Sequence, residues 1–129
     1  MIDERAKYTA NTGTTLISTA NSNLNGTGTL GTVITAASNG TLITRVFIKA
    51  TTTVTRGMVR LFIYDGTNTC LLKEVSVNPV TIVTTTGIDQ SFEAILDMNF
   101  NLKSGECLKA STEIANSFSV TAEGLDWTY

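Results

Sequence analysis

The stretch from Thr41 to Val77, TLITRVFIKATTTVTRGMVRLFIYDGTNTCLLKEVSV, constrains this chain more than any other. It holds three runs of alternating apolar and polar residues. Within 42–50, Leu42, Thr44, Val46, Ile48 and Ala50 share one parity, and Arg45 and Lys49 take the other. A period of two is the signature of a strand with one buried and one wet face. In 57–65 the odd positions Val59, Leu61 and Ile63 are aliphatic, and Met58, Arg60, Phe62 and Tyr64 make a mixed second face. In 69–77, Leu71, Val75 and Val77 are expected on one side and Glu74 on the other. Asp65-Gly66-Thr67-Asn68 joins the last two runs, and Asp-Gly in a short loop predicts a hairpin because glycine accepts positive φ.

Composition extends this to the whole chain. Threonine supplies 24 of the 129 residues, against ten glycines and one proline. β-Branched side chains are stiff at χ1 and suit a pleated sheet. Further strands are expected near 14–19 and 29–36, at 80–83, from Phe92 to Met98, at 106–110 and from Phe118 to Ala122. Turns are expected at Asn21-Ser22-Asn23, Ser38-Asn39-Gly40, 84–87 and 101–105. About eight strands at this spacing predict an all-β, antiparallel two-sheet β-sandwich, jelly-roll-like in form. Residues 1–13 read as an N-terminal arm and 14–129 as a single sandwich domain. The alternative for 1–28 is a mobile arm.

Charge is distributed unevenly. Asp3, Glu4, Arg5 and Lys7 crowd the first seven residues, and Tyr8 to Thr44 carries no charge over 37 residues. Charged side chains keep proteins apart in solution, so such a surface is easier to maintain where neighbouring subunits cover part of it. Arg45 to Lys73 holds five basic residues and one acid, whereas Gly87 to Tyr129 holds seven acids and two bases. Either the two sets neutralise each other within one fold, or they meet between adjacent copies, as head-to-tail contacts in a homotrimer would allow. A net charge of −2 argues against a general nucleic-acid binder. No apolar run approaches a membrane helix, and MIDERAKY is not a signal peptide, so synthesis in a cytoplasm is expected.

The chemistry-bearing residues are sparse. There is no histidine. Cys70 and Cys107 read as free, buried, small apolar residues, although a disulfide stays open. Asp65, Asp97, Glu106, Glu123 and Asp126 are scattered over turns and wet faces, so no acid–base pair is expected. Asp65-Gly66-Thr67-Asn68 reads as a hairpin turn rather than a calcium loop. No catalytic residue, metal or cofactor is therefore expected.

Arg45–Thr51, Met58–Thr67, Leu71–Val75, Leu102–Glu106, Leu108–Thr112 and Phe118–Trp127 together resemble a recurrent type of small jelly-roll-like bacteriophage virion protein. The resemblance covers about 42–127 and rests on strand and turn patterns. It implies a non-catalytic virion protein, made in the host cytoplasm, that binds the phage capsid surface and decorates or cements the head. The implied partners are the major capsid protein and further copies of the chain, with no nucleic acid and no membrane. The residues expected at such interfaces are Asp3, Glu4, Arg5, Lys7 and Tyr8 at one end, Trp127 and Tyr129 at the other, and the basic Arg45, Lys49, Arg56 and Arg60. Trp127 could instead close the core. The rival expectation is a receptor- or glycan-binding module of a tail or head fibre, using Tyr64, Asn68, Trp127 and Tyr129.

Overall fold

The computed structural model describes residues 7–82 and 90–128. They form eight strands: β1 (Lys7–Ile17), β2 (Gly31–Thr35), β3 (Thr41–Ala50), β4 (Gly57–Tyr64), β5 (Thr69–Val77), β6 (Glu93–Leu102), β7 (Cys107–Thr112) and β8 (Phe118–Thr128). One sheet has the order β1-β8-β3-β6 and the other β2-β7-β4-β5. The antiparallel partners β1·β8, β2·β7, β3·β6 and β4·β5 are what one long hairpin gives when it is rolled up. This is the jelly-roll order, and the expected antiparallel two-sheet sandwich is the fold.

The core lies between the sheets. Ile43, Val46, Ile48, Phe118, Val120 and Ala122 come from one sheet, and Val33, Ile34, Val59, Leu61, Leu108 and Ala110 from the other. β8 keeps the expected alternation, with Phe118, Val120, Ala122 and Gly124 buried. It continues to Thr128, so the described part of the tail is strand.

Two bulges correct the expected parity. In β3 the pairing slips between Ile43 and Arg45 against both neighbours, which leaves Thr44 unpaired. Thr41 and Ile43 are therefore buried, Leu42 and Thr44 only half-buried, and the even positions take over from Val46. β6 answers with two unpaired residues, Met98 and Asn99, and Asn99 takes φ 66°. Asparagine tolerates this left-handed conformation better than most residues. In β5 the register skips Leu72, so Leu71 sits opposite Phe62 instead of joining Val75 and Val77. An extra residue in a strand reverses the side of everything beyond it.

The long uncharged stretch is more ordered than composition suggests. Strand β1 starts at Lys7, and residues 7–13, expected within the arm, pair with Gly13's partner Ala122 and onward to Thr128. The connection from β1 to β2 is tied by Asn21. Its backbone N–H donates to Thr112 O, its amide donates to Thr27 O and Thr29 O, and its Oδ1 accepts from Asn23 N. Gly26 lies so close to Thr69 that a Cβ would come within 2.5 Å of it. The segment thus crosses the outer face of the second sheet from β7 to β5. Phe62 of β4 is fully buried there although it lies outside the core between the sheets.

Val80 forms only an isolated bridge with Val54, and the expected loop at 84–87 lies outside the described residues, as does Val83. Both cysteines are free, as expected, but Cys70 is exposed and Cys107 half-buried rather than buried. The loop 65–68 is the expected hairpin turn. Gly66 has φ 99°, and Asp65 Oδ1 accepts from Thr67 N and Asn68 N. Those two backbone donors, Asn68 first, hold the Asp65 carboxyl below its ordinary pKa.

Candidate functional site: a strand edge and an end cleft

Of the residues near the two ends that the sequence singles out, Tyr8 and Trp127 come together. Tyr8 on β1 pairs with Trp127 on β8, and their rings meet edge-on with centroids 6.2 Å apart. Lys7 pairs with Thr128 beside them. Trp127 is half-buried and lies outside the core, so it does not close the sandwich. Asp3, Glu4, Arg5 and Tyr129 lie outside the described residues.

The basic residues do not join this corner. Arg45 faces Asp97 across β3 and β6, with Nε 3.9 Å from Oδ1, both well exposed. Lys49 donates from Nζ to Ser91 O. Arg56 lies on the other sheet's side, in a shallow depression beside Gly57, Pro79 and Glu113. Arg60, expected at a partner surface, is buried to 7% exposure. Its Nε reaches Glu74 at 3.0 Å and its Nη2 reaches Glu113 at 3.2 Å. Within one chain, then, Arg60 is paired with two carboxylates, and Arg45 lies near an exposed one.

What distinguishes the corner is how little covers it. Lys7, Tyr8, Thr9 and Ala10 are exposed on both faces of β1. Farther along, the strand packs against β2: a Cβ on Gly13 would lie 2.1 Å from Val33 O, and one on Gly31 would lie 2.7 Å from Thr15 Oγ1. Its first half thus projects past β2, held by the ladder to β8. Sheet edges template further pairing, and proteins usually blunt them with charge, bulges or shortness. β6 carries Glu93, Asp97 and a bulge, β5 carries Lys73, Glu74 and a bulge, and β2 has five residues and a bulge. β1 has none of these from Tyr8 onward: eleven residues in unbroken register with β8 and no charge after Lys7. Tyr8 and Leu16 are 60% and 62% exposed on it.

Next to Trp127 the strand ends build a cleft of about 520 Å³. Its walls are Ser38, Asn39 and Gly40 between β2 and β3, Asn101 and Leu102 at the end of β6, and Lys103 and Ser104 in the following turn. Gly40 has φ 92°, and a Cβ there would stand 3.0 Å from Leu102 O and 3.8 Å from Trp127 Cδ1. A side chain at 40 would therefore press on Leu102 O and strain the backbone, while only touching the indole. Trp127 Nε1 donates to Asn101 Oδ1 at 3.0 Å, and its backbone N–H donates to Gly40 O at 3.1 Å. Asp126 fixes the strand behind it: Oδ1 accepts from Asn11 Nδ2 at 2.9 Å and from Thr41 Oγ1 at 2.6 Å. Thr41 Oγ1 in turn accepts from Ala37 N, which ties the loop wall to the same network.

Sequence reasoning picked out Trp127 but not its neighbours Asn39, Asn101, Lys103 and Ser104. They are turn residues distant in sequence, and only the rolled-up topology brings them together. Tyr64 and Asn68, grouped with Trp127 under the glycan expectation, do not line the cleft. Tyr64 OH donates to Gly66 O, and Lys109 Nζ lies 4.7 Å from the centre of its ring. Among the described residues no group of three or more His, Cys, Asp and Glu is placed to hold a metal. Set against protein-family models and against curated proteins, the chain matches none.

Proposed function

We propose that this chain is a structural protein of the phage virion, one that binds the capsid surface and decorates or cements the head without catalysis. The observation that carries the reading is the unprotected edge at the start of β1, exposed on both faces and uncharged from Tyr8 on, while the other three edges carry charge, bulges or both. An extended segment of a partner can add to such an edge, with main-chain hydrogen bonds supplying affinity and Tyr8 and Trp127 supplying anchors. The jelly-roll fold and the resemblance over 42–127 agree with this role, although a fold alone hosts many functions. The partners are the major capsid protein and further copies of the chain. A homotrimer would multiply weak contacts into firm binding.

Quantitative mass spectrometry of purified particles tests the reading by counting this chain against the major capsid protein. Copy numbers comparable with the capsid protein are expected. Absence from particles, or a copy number typical of a single tail, would sink it. Thr12→Lys then tests the edge itself: Thr12 is exposed opposite Glu123, so a lysine is tolerated there but gates strand addition. The variant should stay folded and lose binding to particles.

A further inference from the structure

We propose that the end cleft beside Trp127 binds a saccharide, with the indole as the platform for a pyranose ring. The cleft adjoins the β1 edge through the Tyr8–Trp127 contact, but this reading stands whether or not the chain is carried on a particle.

Three features of the cleft point to that ligand class. First, Trp127 lines the cleft and is only half-buried, and the π-face of an indole carries negative potential that attracts the polarised C–H groups on the apolar face of a pyranose. Trp127 is held for this purpose at three points: the Tyr8 ring, the Asn101 amide and the Gly40 backbone. A platform held in place loses little entropy when a ligand lands on it.

Second, the surrounding groups suit hydroxyls. The side chains of Ser38, Asn39, Lys103 and Ser104 are exposed and make no hydrogen bond among the described residues, so their donors and acceptors are available. A sugar hydroxyl both donates and accepts, and hydroxyls, an amide and an ammonium together match both needs.

Third, the size and charge fit. A volume of about 520 Å³ falls within the usual range for small-molecule clefts. Among the described residues, Lys103 is the one charged residue lining the cleft, and no carboxylate lines it. Asp126 is turned away into bonds with Asn11 and Thr41. Among the described residues the cleft holds no pair of carboxyl groups of the kind that cleaves a glycosidic bond, so the action proposed for it is binding.

Trp127 is the chain's one tryptophan, so intrinsic fluorescence reports on this site alone. The full chain is titrated with maltose, cellobiose, lactose and N,N′-diacetylchitobiose, each to tens of millimolar, and saturation-transfer NMR records which sugar protons touch protein. At least one sugar should give a saturable fluorescence change with the strongest transfer from its ring C–H protons. Trp127→Ala should abolish that transfer. Asn39→Ala, at an exposed turn position with no partner to lose, should weaken binding at least about fivefold while the fold is unchanged by circular dichroism. No saturable response to any of the four sugars overturns the proposal. So does binding that Asn39→Ala and Lys103→Ala both leave intact, which decides the matter even if Trp127→Ala fails to fold.

Discussion

Arg60 offers the sharpest test of how the second sheet is held together. Its guanidinium lies on the face of β4 away from the core, flanked in register by Glu74 of β5 and Ser111 of β7. Two of its nitrogens are bonded to Glu74 and Glu113, but among the described residues Nη1 finds no partner, and neither does the buried hydroxyl of Ser111 beside it. The site therefore combines a favourable ion pair with an unfavourable buried donor. The two carboxylate side chains are 40% and 41% exposed, so water can take over their solvation when the arginine is removed. A hydrogen bond to a charged group contributes about 1.5–3 kcal/mol before such compensation. Discounting for exposure leaves about 1 kcal/mol for each of the two bonds. The aliphatic stem adds packing, at about 0.8 kcal/mol per buried methylene.

Two substitutions separate these contributions. Arg60→Ala loses both bonds and the stem but also removes the unpartnered Nη1, and should cost about 2–3 kcal/mol. Arg60→Met keeps most of the stem and removes the unpartnered Nη1, so it should cost about 1 kcal/mol or less. Urea unfolding of the two variants at one pH, with Trp127 fluorescence as the probe, measures both. The ordering decides more than either value. If Arg60→Met costs as much as Arg60→Ala, the ion pair rather than the stem holds the sheet, and the discount for carboxylate exposure is refuted.

Gly13→Ala should cost more than about 2 kcal/mol, because the new Cβ would meet Val33 O at 2.1 Å where β1 crosses β2; hydrogen exchange of β1 amides should rise with it. Asn99→Gly should stabilise the β6 bulge by up to about 1 kcal/mol, since glycine takes φ 66° without steric strain; a lowered urea midpoint would count against this reading of the bulge. Asp65 should titrate by carboxyl NMR below the model-peptide value of 3.8. A depressed folded pKa means that its contribution to stability is present above the unfolded pKa and fades as pH falls through the folded one. Asn68→Pro, which removes the first of the two backbone donors, should move that titration upward.

Much of the fold was legible because strand periodicity is a local property. Val59, Leu61 and Ile63 announce a buried face, and Asp65-Gly66 announces the turn that follows. The failures cluster where a single residue changes the parity. Thr44 and Leu72 look like ordinary strand residues, and only pairing against a neighbour shows that they bulge. The uncharged stretch before Thr44 was opaque for a different reason. Its order depends on Asn21 reaching Thr27, Thr29 and Thr112, contacts that composition does not encode. At the candidate site the sequence marked Tyr8 and Trp127 as large residues near the ends. It could not show that they pair, because that requires β1 to lie beside β8.

The same rolled-up topology explains why the two proposed binding surfaces meet at one corner. In a jelly roll the first and last strands are neighbours, so Lys7 and Thr128 lie side by side at an edge of the sandwich. Residues 7–10 run past β2 and lose cover on both faces, while Trp127 reaches across Gly40 toward Asn101. One strand thus carries the edge proposed for a partner, and the next strand brings an aromatic to the cleft. The two surfaces share the Tyr8–Trp127 contact, so a partner that moves Tyr8 also moves one support of the indole. Occupancy of the β1 edge should therefore alter Trp127 emission even without a sugar. A Tyr8→Leu variant should shift the emission of the free chain while leaving the Asn101 bond in place. Unchanged emission in that variant would mean that the edge and the cleft act as separate surfaces that merely adjoin.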